Sequence, residues 1–317
     1  MTRAYPEEVT VEAGARLVLR VSTTAERFRV RLHRAVPFAP AGEPSAWFAG
    51  TNAPSGRCDR PWKWPPYTLP IPQAFESGAY IAVIEEAGGA PPAAAPDARS
   101  GTALFVVRAP AARVLVNLPL FTYHAYNVAD VDGTRGEGEG ECLYSGPSAV
   151  TLHRPGGGTG GHPWDEVNAD VYDRASPRQT FAHWDSKGLA WLHAAGYDAD
   201  VCTDLDLHDA ACDRSRYDVV LAFGHHEYWT REMRAHLEAF AADGGGIAFF
   251  GGNTCWFRVR YDGAKRAIAR DGQWDDDPEE RFTGASYRYG GGKWRGGRPA
   301  LGYTVHDDLH WMFAGAA

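Results

Sequence analysis

Alternating apolar and polar positions fill the first third of the chain. In the run RFRVRLHR, Phe28, Val30 and Leu32 alternate with arginines, which is the period-two pattern of a strand with one buried face. Similar strand-sized runs occupy residues 16–21, 78–86 and 102–110. Short strands separated by glycine- and proline-rich turns predict a small Ig-like β-sandwich, to which we assign residues 1–110.

The pattern changes at residue 111. The run AARVLVNLP, residues 111–119, is mostly apolar without alternation, as in a strand buried on both faces of a parallel sheet. Further strands of this kind are predicted within residues 197–203, 217–224 and 244–253. The glycine-rich stretch 120–170 looks too irregular for helices or strands, and long loops in compact domains are usually functional.

Two helices are predicted between these strands. Ser176 and Pro177 suit the cap and first turn of one helix, and Thr230 suits the cap of another. Helical spacing in the second helix turns Met233 and Leu237 inward. Strands alternating with helices predict a doubly wound, mostly parallel α/β sheet, to which we assign residues 111–317 as a catalytic domain.

Composition narrows the class of protein. A net charge of −8 argues against a nucleic-acid partner, and no apolar run reaches the length of a membrane span. The five cysteines include no CxxC pair, which favours a reducing compartment, and the start of the chain lacks the pattern of a signal peptide. We therefore expect a cytoplasmic protein that binds neither nucleic acid nor membrane.

An ionisable cluster follows one predicted strand. The sequence GHHEYW, residues 224–229, places His225 and Glu227 at the carboxyl end of that strand, where ligands bind in doubly wound sheets. Asn253 ends the next strand, and the segment TYHAYN, residues 122–127, follows the first. We expect these side chains to meet at one edge of the sheet, although a lone glutamate there could simply complement a helix dipole.

The residue types leave several roles open for Glu227. The chain has no GxSxG nucleophile motif, and its adjacent histidines differ from the HExxH spacing of zinc proteases. A carboxylate at this turn could act as a base, a nucleophile or a metal ligand. The residues alone do not choose among these roles.

Several short motifs occur in an order that resembles a known family. They are AYN (125–127), LY (143–144), RP (154–155), GHHEYW (224–229), GGNTCWFRVR (251–260) and HWMFAG (310–315). Together they resemble the large, β subunit of N,N-dimethylformamidase and its relatives over roughly residues 105–315. The loop 128–142, which is acidic and rich in glycine, departs from the family pattern.

The resemblance implies a mononuclear Fe(III) centre. Its ligands would be Tyr126, Tyr144 and Glu227 on the matching motif positions, and His225 and Asn253 would assist catalysis together with Glu227. Phenolate and carboxylate oxygens suit a hard ferric cation. The expected activity is iron-dependent amidohydrolysis, in which metal-activated water cleaves the C–N bond of a small amide such as an N-substituted formamide.

Details of the expected reaction follow from the same resemblance. His225 would help to deprotonate the water, and Asn253 would orient it or stabilise the oxyanion. The sheet is expected to be of the glutamine-amidotransferase-like type. The assembly is left open between a homo-oligomer and a complex with a separate small subunit.

Two alternatives to this function remain. The first is a non-catalytic, amidotransferase-like binding module, and the second is a different Fe(III)-dependent reaction on the same scaffold.

Aromatic residues near the motifs are expected to line a small apolar pocket that favours compact neutral amides. They are Tyr123, Tyr228, Trp229, Trp256 and Phe257.

Overall fold

The computed structural model describes most of the chain. The described residues are 2–89, 101–127, 143, 148–160, 173, 176, 179–289 and 310. Tyr144, Pro177 and the loop 128–142 lie outside them, so the expectations attached to those residues are not addressed by the structure.

Nine strands form two sheets in the first part of the chain. They are β1 (Arg3–Pro6), β2 (Thr10–Glu12), β3 (Arg16–Ser22), β4 (Arg27–Ala35), β5 (Phe38–Pro40), β6 (Phe48–Ala49), β7 (Pro66–Pro70), β8 (Gly78–Glu86) and β9 (Thr102–Arg108). One sheet has the order β1-β3-β7, and the other has the order β2-β9-β8-β4-β5, with β6 paired to β4. An apolar cluster drawn from both sheets fills the space between them.

The four predicted strands of this part are confirmed, but two of them are more deeply buried than expected. In β4, Phe28, Val30 and Leu32 are buried and the two arginines between them are only partly covered, as the alternation predicts. In β8 and β9, by contrast, nearly every residue is buried. One face of β8 and β9 lines the sandwich core and the other packs against the following α/β part of the chain.

The second part of the chain combines strands with short helices. Its elements are β10 (Val114–Leu118), α1 (Leu120–Ala125), β11 (Ala149–Thr151), α2 (Asp185–Ala194), β12 (Asp200–Thr203), α3 (Asp204–His208), β13 (Val219–Ala222), β14 (Tyr228–Trp229), α4 (Arg231–Ala242), β15 (Gly246–Phe249), β16 (Phe257–Asp262), β17 (Ala267–Arg270) and α5 (Glu280–Thr283). None of the described helices is long and apolar enough to cross a membrane.

A four-stranded parallel sheet lies at the centre of this part. Its order is β12-β10-β13-β15, and all three strand pairs are parallel. Alternate side chains pack on opposite faces, because Leu115 joins a cluster that includes α4 and Val116 joins a cluster that includes α2. The chain is therefore a mixed α/β protein with several sheets and few helices among its described residues.

Three local expectations need correction. Residues 181–184 form a turn, so α2 begins at Asp185 and not near Ser176. The stretch 120–170 contains α1 and β11, although it was expected to hold no regular element. Strand β15 is at the edge of the sheet and only half-buried, since no further strand covers its outer side among the described residues.

Other local expectations are confirmed. The hydroxyl of Thr230 accepts the backbone N–H of Met233 and caps α4, whose residues Met233, Leu237 and Phe240 are buried. The division of the chain at residue 110 stays a prediction. Strand β9 ends at Arg108 and β10 begins at Val114, so that division falls in the segment between the two parts.

Candidate functional site

Three loops meet at the carboxyl edge of the parallel sheet. Tyr126 follows α1, which starts two residues after β10, while His225 and Glu227 follow β13 and Asn253 follows β15. Because β10, β13 and β15 are neighbouring parallel strands, their carboxyl ends deliver these side chains to the same place. The structure thus brings together four of the five residues singled out from the sequence, and the fifth, Tyr144, lies outside the described residues.

The carboxylate of Glu227 is the centre of this group. The hydroxyl of Tyr126 donates a hydrogen bond to Glu227 Oε2 at 2.6 Å. The side-chain amide of Asn253 donates to the other oxygen, Oε1, at 3.1 Å. The ring nitrogen Nε2 of His225 lies 3.4 Å from Oε2. Both carboxylate oxygens are therefore engaged by polar groups from three separate segments.

The Glu227 carboxyl is buried, yet its pKa is low. Only 2 % of the residue is exposed. Burial by itself would raise the pKa of the Glu227 carboxyl, but the hydrogen bond and charge of His225, with the hydrogen bonds from Tyr126 and Asn253, outweigh it and hold the pKa below its usual value. Since Tyr126 is also buried and His225 and Asn253 are partly exposed, the group opens to solvent on the side of the histidine and the amide.

Backbone pairing holds the two site loops against each other. Strand β14 begins directly after Glu227 and runs parallel to β16. The N–H of Cys255 donates to the carbonyl of His226, and the N–H of Phe257 donates to the carbonyl of Glu227, both at 2.8 Å. Gly251 is required at this crossing, because a Cβ there would lie 1.9 Å from the carbonyl oxygen of Gly224.

Two supporting residues were not assigned a role from the sequence. The hydroxyl oxygen of Thr122 accepts the backbone N–H groups of Glu227 and Tyr228 at 3.1 and 3.2 Å. The buried guanidinium of Arg154 donates to the carbonyls of His124 and Asn127 at 2.8 and 3.1 Å, and so fixes the chain on both sides of Tyr126. Arg154 belongs to the RP motif quoted for the family resemblance, which was the available signal, whereas Thr122 lies just outside the AYN motif.

A second set of buried polar residues lies beneath the loop that carries Glu227. Asp185 accepts the backbone N–H of Gly224 at 3.1 Å and the hydroxyl of Tyr123 at 2.6 Å. Burial raises the pKa of Asp185 to about 7, although these hydrogen bonds oppose the rise. His226, whose Nε2 lies 4.0 Å from Asp185 Oδ1, is also fully buried, and burial lowers its pKa to about 3.

A neighbouring carboxyl completes this buried set. Asp204 accepts the side-chain amide of Asn117 and the backbone N–H of Phe121, both at 2.9 Å. Burial raises the pKa of Asp204 to about 8. Asp185 therefore holds the loop after β13, and Asp204 holds the start of α1. Nothing in the local sequence distinguishes these two residues from ordinary surface aspartates.

The expected aromatic wall is only partly present. The hydroxyl of Tyr123 points to Asp185 and the indole N–H of Trp229 donates to the carbonyl of His226 at 2.6 Å, so both side chains belong to the buried interior. The ring of Tyr228 lies edge-on to Tyr126 with centroids 6.1 Å apart. On its other side it stacks on Phe257 with centroids 5.2 Å apart.

The oxygen atoms of Tyr126 and Glu227 suit a hard cation. No cluster of three or more histidine, cysteine, aspartate or glutamate side chains that could hold a metal occurs in the part of the chain that the structure describes. The ligand set implied by the resemblance differs from such a cluster, because two of its members are tyrosines. Leu143, which precedes the third expected ligand, is buried in the same apolar cluster as Tyr126.

Comparison with known proteins identifies the family of this chain. Residues 40–317 match the family described as N,N-dimethylformamidase beta subunit-like, C-terminal. No curated protein matches the chain. The match includes every residue of the site described above and most of the chain. The chain therefore belongs to the N,N-dimethylformamidase beta subunit-like family.

Proposed function

We propose that this protein is an iron-dependent amidohydrolase that cleaves the C–N bond of a small amide, of which an N-substituted formamide is the best candidate. The observation that carries the proposal is the buried carboxylate of Glu227, which the Tyr126 phenol, the His225 imidazole and the Asn253 amide contact together. An ionised carboxylate and a phenol oxygen side by side offer a cation two hard oxygen donors.

The metal ligands are proposed to be Tyr126, Glu227 and Tyr144. The first two present oxygens 2.6 Å apart, and the third is assigned by the family resemblance alone. When bound, a ferric ion supplies Lewis acidity, which polarises a carbonyl and lowers the pKa of water. Oxygen donors of this kind favour a hard cation over zinc or copper(I), which prefer nitrogen or sulfur.

His225 and Asn253 are proposed to handle the proton and the oxygen of the substrate. His225 lies at the solvent side of Glu227, where its imidazole can accept a proton from an attacking water and return it to the departing amine. Asn253 carries an N–H₂ group that already donates to Glu227 and can donate to an oxyanion. Glu227 keeps both groups oriented.

The topology of the parallel sheet also favours a more specific fold. We infer that it is the doubly wound sheet of glutamine-amidotransferase-like proteins, because its strands are all parallel and helices α2 and α4 pack on opposite faces. The family description names a beta subunit, which supports an assembly of several chains. Light scattering of the purified protein, alone and with a candidate small subunit, tests that assembly.

The experiment that tests the function is iron loading followed by an amide screen. Purified protein should bind about one iron per chain and absorb visible light, because tyrosinate ligands give a charge-transfer band with Fe(III). The iron-loaded protein should release amine from small formamides. Glu227→Ala should lose both the iron and the colour, since one of three anionic ligands is gone.

The control is a variant that removes a carboxylate elsewhere. Asp218 is an exposed carboxylate paired with Arg113, so Asp218→Ala should keep the iron, the colour and the activity. Colourless protein with stoichiometric zinc would refute the proposed metal. Iron-loaded protein that binds amides without releasing amine would instead support the binding-module alternative.

A further inference from the structure

One threonine is bonded to the main chain of both described ligands. The carbonyl of Thr122 accepts the backbone N–H of Tyr126 at 3.1 Å, one helical turn later. Its hydroxyl oxygen accepts the backbone N–H groups of Glu227 and Tyr228 at 3.1 and 3.2 Å. Thr122 is 1 % exposed, so water does not compete for these bonds. These hydrogen bonds join two segments, one at Thr122 and one at Glu227 and Tyr228, that are about a hundred residues apart in sequence.

The two N–H groups have limited alternatives. Glu227 and Tyr228 are both buried. Glu227 directly precedes β14, and Tyr228 is the first residue of that strand. The neighbouring strand β16 donates a hydrogen bond to the carbonyl of Glu227, on the side opposite to its N–H. Without the hydroxyl of Thr122, two buried donors would lose an acceptor, and the loop would shift to reach another one. Such a shift moves the carboxylate of Glu227 relative to the phenol of Tyr126.

We propose that Thr122 is a positioning residue that sets the separation between the Tyr126 phenol and the Glu227 carboxylate, and through it the affinity of the site for its cation. The part of this inference that concerns the cation rests on the function proposed above. The part that concerns the separation rests on the hydrogen bonds alone. Residues that orient metal ligands typically contribute about 10–100-fold to metal affinity.

The test compares three variants. Thr122→Val replaces the hydroxyl by a methyl group of similar size, and Thr122→Ser restores the hydroxyl. Thr151→Val is the matched control, because Thr151 is fully buried and its hydroxyl oxygen also accepts a backbone N–H, that of His153 at 3.1 Å, outside the site. All three are first compared by urea unfolding, so that any effect on the site is judged against the loss of stability.

The first measurement needs neither iron nor activity. Hydrogen exchange of metal-free protein, followed by mass spectrometry of peptides that contain residues 224–230, reports on the N–H groups of Glu227 and Tyr228. Thr122→Val should speed this exchange on the order of tenfold or more, since both groups lose their acceptor. Thr122→Ser and Thr151→Val should leave exchange in this segment near that of the parent protein.

The second measurement is iron affinity, obtained by competition with a chelator. Thr122→Val should raise the dissociation constant by roughly 10–100-fold, and Thr122→Ser should recover most of this loss. Unchanged exchange in Thr122→Val, or equal weakening of iron binding by Thr151→Val, overturns the inference. If the parent protein binds no iron, the proposed function fails, and the exchange measurement still decides whether Thr122 holds the two segments together.

Discussion

Replacing Tyr126 by phenylalanine tests the central contact of the site. The substitution removes only the hydroxyl that donates to Glu227 Oε2 at 2.6 Å. The ring keeps its edge-on contacts with His225 and Tyr228, whose centroids lie 5.7 and 6.1 Å away. No large cavity is created, so the change in stability should report the hydrogen bond and not lost packing.

The expected magnitude follows from the partners of the carboxylate. A hydrogen bond to a charged group contributes about 1.5–3 kcal/mol to stability. Glu227 keeps its hydrogen bond from Asn253 and its contact with His225, so it is not left without partners. We therefore expect the metal-free Tyr126→Phe protein to lose about 2 kcal/mol in its free energy of unfolding.

The assay is urea unfolding of metal-free protein, followed by iron titration. Tyr217→Phe is the matched control, because the buried hydroxyl of Tyr217 donates to the carboxylate of Asp200 at 3.1 Å, at the opposite end of β12 from the site. Both variants should lose stability. Only Tyr126→Phe should also weaken iron binding and diminish the visible band.

Two results would refute this reasoning. The first is a change in unfolding free energy for Tyr126→Phe within about 0.5 kcal/mol of zero, the range typical of substitutions without a buried partner. The second is an unaltered charge-transfer band in the iron-loaded variant, which would mean that the phenolate of Tyr126 is not a ligand.

Three further predictions concern catalysis, substrate and pH. His225→Ala should retain much of the iron while kcat falls by about 10²–10⁴, the range for general acid–base groups; loss of iron equal to that of Glu227→Ala would make His225 a ligand. The partly exposed Phe257 ring, which stacks on the buried Tyr228 ring beside Tyr126, favours compact neutral amides, so kcat/KM should be higher for dimethylformamide than for N-formylglycine, and the reverse order would contradict this. Because burial raises the pKa of Asp185 from 3.8 to about 7, the folded protein keeps a proton that the unfolded chain loses, and the free energy of unfolding should fall as pH rises between those values. Asp185→Asn should reduce that fall in urea titrations at about pH 5 and pH 7.5, and identical slopes for variant and parent would count against the buried acid.

Much of the local structure was predictable because hydrophobic spacing reports burial directly. The alternation in RFRVRLHR predicted β4, and the cap at Thr230 predicted the start of α4. The start of α2 was misplaced, since capping residues such as Ser176 occur in turns as readily as at helix ends. Strand β15 was predicted to be buried, because its composition is that of an inner strand and only its place in the sheet makes it an edge.

The side chains that meet at the carboxyl edge of the sheet could be predicted from the sequence, but the residues that support them could not. The order of short motifs selected His225, Glu227 and Asn253, and the rule that ligands bind at the carboxyl ends of parallel strands placed them together. Thr122 and Asp185 could not be recognised in this way. Their importance comes from the N–H groups that they accept from residues far away in the sequence.

The amino-acid sequence by itself determined most of the strands, helix α4 and the family to which the chain belongs, and it selected the residues that we propose carry chemistry. These properties depend on composition and spacing within short segments. Only the tertiary structure decided that Tyr126, His225 and Asn253 all contact one buried carboxylate. It also decided that Tyr123 and Trp229 belong to the interior, because the direction in which a ring points depends on neighbours that are distant in sequence.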